Sequence, residues 1–239
     1  MEGKVLAINM EAPAQGGGAL PAFADPPIVL AITGASGAIY AGRLLQILLA
    51  RGQQVHLTIS PSGAAVVKQE LDVILKPTVD GVVGLLGATN RFLGIAESDS
   101  IAQSALAATD TSQLAIHAHD DYFTPIASGS HLTRAMVICP CSGSTLSGVA
   151  RSASQNLVQR AAEVHLKEGR KLILVPRETP LSVLQIENMY RLAQAGCVIL
   201  PAAPGWYHGV DGMIDLVDFV VSRILDQLGV ANSQIKRWE

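Results

Sequence analysis

Five short loops of this 239-residue chain hold most of the side chains that could do chemistry, and each follows directly on an apolar run. They read Gly34-Ala35-Ser36-Gly37, Ser60-Pro61-Ser62, Pro140-Cys141-Ser142-Gly143-Ser144-Thr145, Pro176-Arg177-Glu178-Thr179-Pro180, and Pro201 to Tyr207. The first is the most informative. Gly34 and Gly37 let the backbone turn tightly, and a helix starting near Ala38 aims its unpaired N–H groups and positive dipole end at that turn. This is the chemistry of a phosphate cradle. Ser142, Ser144 and Thr145 suit the cap of a following helix, and the same hydroxyls can donate to a phosphate. Arg177 and Glu178, between two prolines at the end of an apolar run, read as a positioned cation and acid rather than a solvated ion pair.

The sequence narrows which phosphate this is. A dinucleotide fingerprint needs G-x-G-x-x-G and an acidic residue about 20 positions on for the ribose. Here the glycines are Gly34, Gly37 and Gly42, and the next apolar run, Val55 to Ser60, ends in Ser60 and Pro61 with no carboxylate. Tyr40 stands where a glycine would be needed beside a pyrophosphate. No tyrosine has a lysine four positions later, as a short-chain dehydrogenase would require. A nicotinamide site is excluded, and a mononucleotide phosphate remains.

The elements that must position these loops alternate apolar runs with helical patterns, the signature of parallel strands joined by crossover helices. Strands are expected at Ile28–Thr33, Val55–Ser60, Ala135–Cys139, Lys171–Val175 and Val198–Leu200, with a shorter one near Leu114–His117. Helices are expected at Ala38–Arg51, Gly63–Leu75, Ser154–Glu168, Leu181–Ala195 and Gly212–Leu228. The expected fold is α/β, a three-layer Rossmann-like (flavodoxin-like) doubly wound parallel sheet forming a single domain over 27–239. Residues 1–26 read as a flexible extension around Gly16 to Gly18.

With 49% hydrophobic and 15% charged residues, the chain has little polar surface to spare, which predicts a homo-oligomer. A net charge of −3 with scattered Lys and Arg disfavours nucleic acid. The longest apolar stretch, Leu192 to Tyr207, is broken by Pro201 and Pro204, so no membrane span is expected. Three cysteines without a C-x-x-C pattern, and no leader-like N-terminus, point to a reducing, cytoplasmic setting. No metal is expected. Cys139 and Cys141, two apart on an extended run and so on one side of it, read as buried, inert thiols. His117-Ala118-His119-Asp120-Asp121 reads as a solvated loop, and the aspartates that open a D-D-x-x-D pattern meet Thr124 at its fifth position.

Longer segments carry a resemblance. TGASGAIYAGRLL, the Ser128–Ser130 triplet, MVICPCS, QRAAEVHLKEGRKLILVPRETPL and ILPAAPGWYH together resemble the UbiX-type flavin prenyltransferases, from about Ile28 to Trp238. The resemblance implies alkylation of reduced FMN at N5 and C6 by dimethylallyl monophosphate, without a metal. The product, prenylated FMN, would serve a UbiD-type decarboxylase. It further implies FMN contacts at Gly34, Ala35, Ser36, Ser60, Ser142, Gly143, Ser144, Thr145 and Arg177. The allylic phosphate would be held by Arg160, Lys167, Tyr207 and Arg223, and proton transfer would fall to Ser36, Glu70 and Glu178. Tyr122, beside Phe123, stands where many relatives carry a tryptophan against the prenyl chain. A dodecamer with sites at subunit contacts is the implied assembly. Two other readings share the turn and hydroxyls: a flavin-dependent cysteine decarboxylase and a non-catalytic FMN-binding subunit. Neither has a use for Lys167, Glu178, Tyr207 and Arg223 together.

Overall fold

A computed structural model describes residues 25–237; most of the expected extension over 1–26 therefore lies outside the described residues. Six strands form one sheet: β1 (Ile28–Ile32), β2 (Val55–Ile59), β3 (Leu114–His117), β4 (Ala135–Cys141), β5 (Lys171–Pro176) and β6 (Val198–Ile199). Every neighbouring pair is parallel, in the order β3-β2-β1-β4-β5-β6. This is the expected doubly wound sheet. Connections run one way from β1 and the other way from β4, so the crevice where ligands settle lies beyond the carboxyl ends of those two strands. All five residues of β1 are buried, the continuous apolar character of a parallel strand covered on both faces.

The two covering layers are distinct. On one face pack α1 (Ala38–Ala50), α2 (Pro61–Leu71), α3 (Val79–Leu93), α4 (Ser100–Ala108) and α8 (Met213–Leu228), against Ile28, Leu30 and Ile32. On the other pack α5 (Gly143–Ala150), α6 (Leu157–Lys167) and α7 (Val183–Gln194), against Val29 and Ala31. Helix starts follow side-chain caps: Ser60, Thr78, Asp99, Ser142, Asn156 and Ser182 each accept a backbone N–H from the first turn.

Several expectations are corrected. Helices α3 and α4 fall where no helix was expected, and α5 is the helix whose cap Ser142 was read to suit but whose span was not given; α3 carries Gly81, Gly84 and Gly87, whose poor intrinsic propensity hides it. Packing makes up the deficit, because a Cβ on Gly42 would lie 2.1 Å from Thr89 Oγ1, so Gly42 serves the α1–α3 contact rather than a phosphate. Helix α2 stops at Leu71, where Asp72 turns left-handed, and does not reach Leu75. Cys139 and Cys141 are buried but not on one side. The β4–β5 register shifts between Ile138 and Cys141, sending Cys139 to the α1–α8 layer and Cys141 to the α5–α7 layer. Burial pushes the Cys141 thiol up to about 12 and that of Cys197 up to about 11. His117 is not in a solvated loop: it closes β3, and its Nε2 lies 2.8 Å from Nδ1 of His56. Burial, with His117 and His131 nearby, lowers the pKa of His56 to about 4. Asp120 and Asp121 are exposed as the loop reading had it.

Among the buried polar groups, Arg43 of α1 grips Asp218 of α8 through two bonds of 2.7 and 3.0 Å. Gln46 and Asn90 extend this network to α3. His165 on α6 is fully buried between the Ala161 carbonyl and Thr133, and burial lowers its pKa to about 4. Its neutral form belongs to the fold, whereas the unfolded chain protonates near 6.5. The stabilisation is thus complete above about pH 6.5 and is lost as the pH falls towards 4, amounting to roughly 3 kcal/mol for a shift of that size. Urea denaturation across this range should show a falling ΔG. His165→Asn should flatten the slope while lowering stability at neutral pH; a slope unchanged by the substitution contradicts the assignment.

Candidate functional site

Thr33, the residue after β1, bolts the site together. Its hydroxyl donates to the Pro140 carbonyl at 2.7 Å and accepts the Ser142 N–H at 2.9 Å, locking the first loop to the third across the crevice. Gly37 then takes φ 108°, a left-handed conformation that favours glycine. The ring of Tyr40 closes over it: a Cβ on Gly37 would come within 2.9 Å of that ring.

The anion at the start of α1 is supplied by the protein itself. Both oxygens of Glu70, at the end of α2, accept the Gly37 N–H, at 3.1 and 3.0 Å, and one also accepts the Ala38 N–H at 2.8 Å. The dipole end expected to cradle a phosphate thus holds a carboxylate. Arg177 reaches the same turn from the end of β5, its Nε donating to the Ser36 carbonyl at 3.2 Å. Around this junction opens a cavity of about 350 Å³, lined by Ser36, Glu70 and Arg177 together with Tyr40, Ile39, Leu71, Phe92 and Ala202. Its walls are mostly apolar, its polar groups few and convergent, the usual character of a ligand pocket. Burial raises the pKa of Tyr40.

The hydroxyls form a separate shelf on the same edge. Ser60 Oγ accepts the Gly63 N–H at 3.0 Å and touches Ser62 Oγ at 3.1 Å, at the start of α2. Ser142 Oγ caps α5 by accepting the Thr145 N–H, donates to Thr145 Oγ1 at 3.0 Å and lies 3.2 Å from Ser144 Oγ. Here capping and donor presentation coexist. Gly34 packs against Ser62, which brings the shelf to the turn. Glu178 stands on the adjoining loop, with Gln185 of α7 donating to it at 3.4 Å.

The structure therefore brings Gly34, Ala35, Ser36, Ser60, Glu70, Ser142 to Thr145, Arg177 and Glu178 to one edge. Of the other candidates, Arg160, Lys167 and Arg223 do not join them within one chain, whereas Tyr207 lies on the loop after β6, whose Ala202 lines the cavity. Arg160 and Lys167 lie on α6: Arg160 donates to the Ala127 carbonyl at 3.2 Å, and Lys167 pairs with Glu168 over Gly129. Lys167 precedes the first residue of β5 and Arg177 follows the last, so six residues of strand, roughly 20 Å, lie between those ends. Arg223, paired with Asp226, lies on α8 in the opposite layer, and the ring of Tyr207, on the loop after β6, meets Phe219 of α8 edge-on. Tyr122 is part exposed and Phe123 fully exposed on the loop whose His119 carbonyl accepts the Leu157 N–H. Tyr40, Leu71 and Phe92 escaped the sequence reading as site residues. Tyr40 was discoverable as the side chain one turn beyond Gly37. Leu71 and Phe92 were not, because only tertiary packing brings α2 and α3 to the turn.

Fold and site define a flavin-binding α/β protein, and comparison with known proteins agrees: the Flavoprotein family matches residues 23–225. Flavin prenyltransferase UbiX of Pseudomonas aeruginosa is 44% identical over 211 residues, covering 88% of this chain and 93% of that protein. The structure of AnUbiX (PadA1) in complex with FMN and dimethylallyl pyrophosphate aligns with a TM-score of 0.74 at 30% identity, over 90% of this chain and 98% of that one. A dodecameric FMN-dependent UbiX-like decarboxylase from Escherichia coli O157:H7 aligns with a TM-score of 0.71 at 33% identity, over 89% and 99%. The chain belongs to the UbiX-type flavin prenyltransferases and is thus an enzyme of the prenyltransferase class.

Glu70→Leu leaves the Gly37 and Ala38 N–H groups without their acceptor. It should lower stability by about 1–3 kcal/mol in urea denaturation; an unchanged midpoint contradicts the capping role.

Proposed function

We propose that the protein transfers a dimethylallyl group from dimethylallyl monophosphate to N5 and C6 of reduced FMN, releasing phosphate and supplying prenylated FMN to a UbiD-type decarboxylase. The observation that carries this reading is the meeting of Ser36, Glu70 and Arg177 on one apolar cavity, with Glu178 beside it, in a chain of this family. FMN, when bound, supplies the nucleophilic ring nitrogen and carbon. Its phosphate is assigned to the hydroxyl shelf of Ser60 and Ser142 to Thr145, because the α1 N-terminus is already occupied by Glu70. The shelf suits it: two helix N-termini, α2 and α5, meet there with their serines.

The chain's own groups divide the remaining work. Arg160, Lys167 and Arg223 stabilise the charge that grows on the departing allylic phosphate, in the place of a metal, and Tyr207 adds a hydroxyl. Glu178 donates a proton to that phosphate, while Glu70 and Ser36 accept the proton lost from the ring carbon. Tyr122 supplies an aromatic wall for the prenyl chain. Because α6 and α8 cover opposite faces of the sheet, these cations can meet on one phosphate only when neighbouring copies contribute them. The exposed apolar side chains of α7, Val183, Leu184, Ile186 and Tyr190, fit burial in such an assembly, and the Escherichia coli relative is dodecameric.

Protein mixed with reduced FMN and dimethylallyl monophosphate without oxygen should yield a flavin heavier by one C5H8 unit; its absence with both the mono- and the diphosphate refutes the transferase reading. Glu178→Gln should slow turnover at least a hundredfold while FMN stays bound. Shared sites make a further prediction. Lys167→Ala and Glu178→Gln chains, each inactive alone, should regain part of the activity when co-assembled, and no recovery would place each complete site within a single chain.

A further inference from the structure

We propose that Gln185 is a positioning residue for Glu178, orienting its carboxylate. The inference rests on Glu178 being the acid of the reaction above.

Gln185 is the third residue of α7 and completes a capping box with Ser182: its N–H is accepted by Ser182 Oγ at 3.3 Å, and its own Oε1 accepts the Ser182 N–H at 2.9 Å. That last bond fixes which end of the amide is oxygen. The nitrogen must then face the other way, and it lies 3.4 Å from Glu178 Oε2. The same nitrogen would stand 3.0 Å from a Cβ on Gly143, so the amide fills the gap between the acid loop and the hydroxyl shelf. A side chain at Gly143 would push it off Glu178.

Nothing in a capping box requires an amide. Glutamate serves the third position equally, through the same oxygen acceptor. Only glutamine, however, turns a donor rather than a second carboxylate towards Glu178. By facing Oε2 the donor leaves Oε1 to carry the proton that Glu178 gives up. The other charged group next to Glu178 on its loop, Arg177, is committed to the Ser36 carbonyl. From α7 the facing group is Gln185 itself, and α5 brings the uncharged Gly143.

Gln185→Glu separates the two roles, because it keeps the cap and replaces the donor with a like charge. The thermal midpoint and FMN content should match wild type, while the high-pH limb of kcat for dimethylallyl monophosphate should move up by about one pH unit, a tenfold change in proton affinity. Ser182→Ala, which weakens the cap and leaves the donor, should lower the thermal midpoint without moving that limb. A Gln185→Glu limb coincident with wild type overturns the proposal and leaves Gln185 a helix cap. Glu178→Gln distinguishes the levels: if it turns over like wild type, the acid assignment falls and this inference with it. If it is slow while the Gln185→Glu limb does not move, only the positioning role is lost.

Discussion

The carboxylate of Glu70, on the N–H groups of Gly37 at the cap of α1 and of Ala38 at its first residue, sets the arrangement of the rest. A helix N-terminus beyond a parallel strand attracts any anion, and a side chain held in the fold reaches it at a far lower entropic cost than a dissolved phosphate. Once Glu70 is there, the turn is closed from α2, Tyr40 lies over Gly37, and Arg177 approaches Ser36 through its carbonyl. On the proposed reading the ligand phosphate then belongs on the serine shelf along the same edge. The Glu70 carboxylate lies against the cavity proposed for the ring chemistry.

The second constraint is the sheet itself. It separates the chain's cations into two layers, α6 carrying Arg160 and Lys167, α8 carrying Arg223, and no loop movement of modest size crosses a six-stranded sheet. Each of these cations is near an acidic neighbour on its own helix or just past its end: Glu163, Glu168 and Asp226. Such exposed pairs are weak, so surrendering them to a phosphate costs little. The buried Arg43–Asp218 pair is different in kind. It ties α1, the helix that follows the Ser36 turn, to α8, the helix that carries Arg223.

Strand positions were legible because buried parallel strands are continuous apolar runs, and β1, β2, β4 and β5 have no other reading. The loops of the site were legible for the same reason: they are whatever follows those runs. Helix α3 was not, since its three glycines defeat propensity and its stability comes from Gly42 and Thr89 in contact. The role of Glu70 at the α1 N-terminus was hidden by its separation of 33 positions from Gly37, a distance no local pattern bridges. Cys139 and Cys141 misled because alternation along a strand holds only where the register does, and the register shifts between Ile138 and Cys141. Ser182 and Gln185 could be read as a capping box from spacing alone; that its amide also faces Glu178 could not.

If the α1 N-terminus belongs to Glu70, the flavin phosphate belongs on the serine shelf. A crystal structure of the FMN complex tests it most directly. Glu70 should still accept the Gly37 and Ala38 N–H groups, with the phosphate against Ser60 and the Ser142–Thr145 loop. A phosphate seated on the Gly37 and Ala38 N–H groups, with Glu70 swung away, would contradict it.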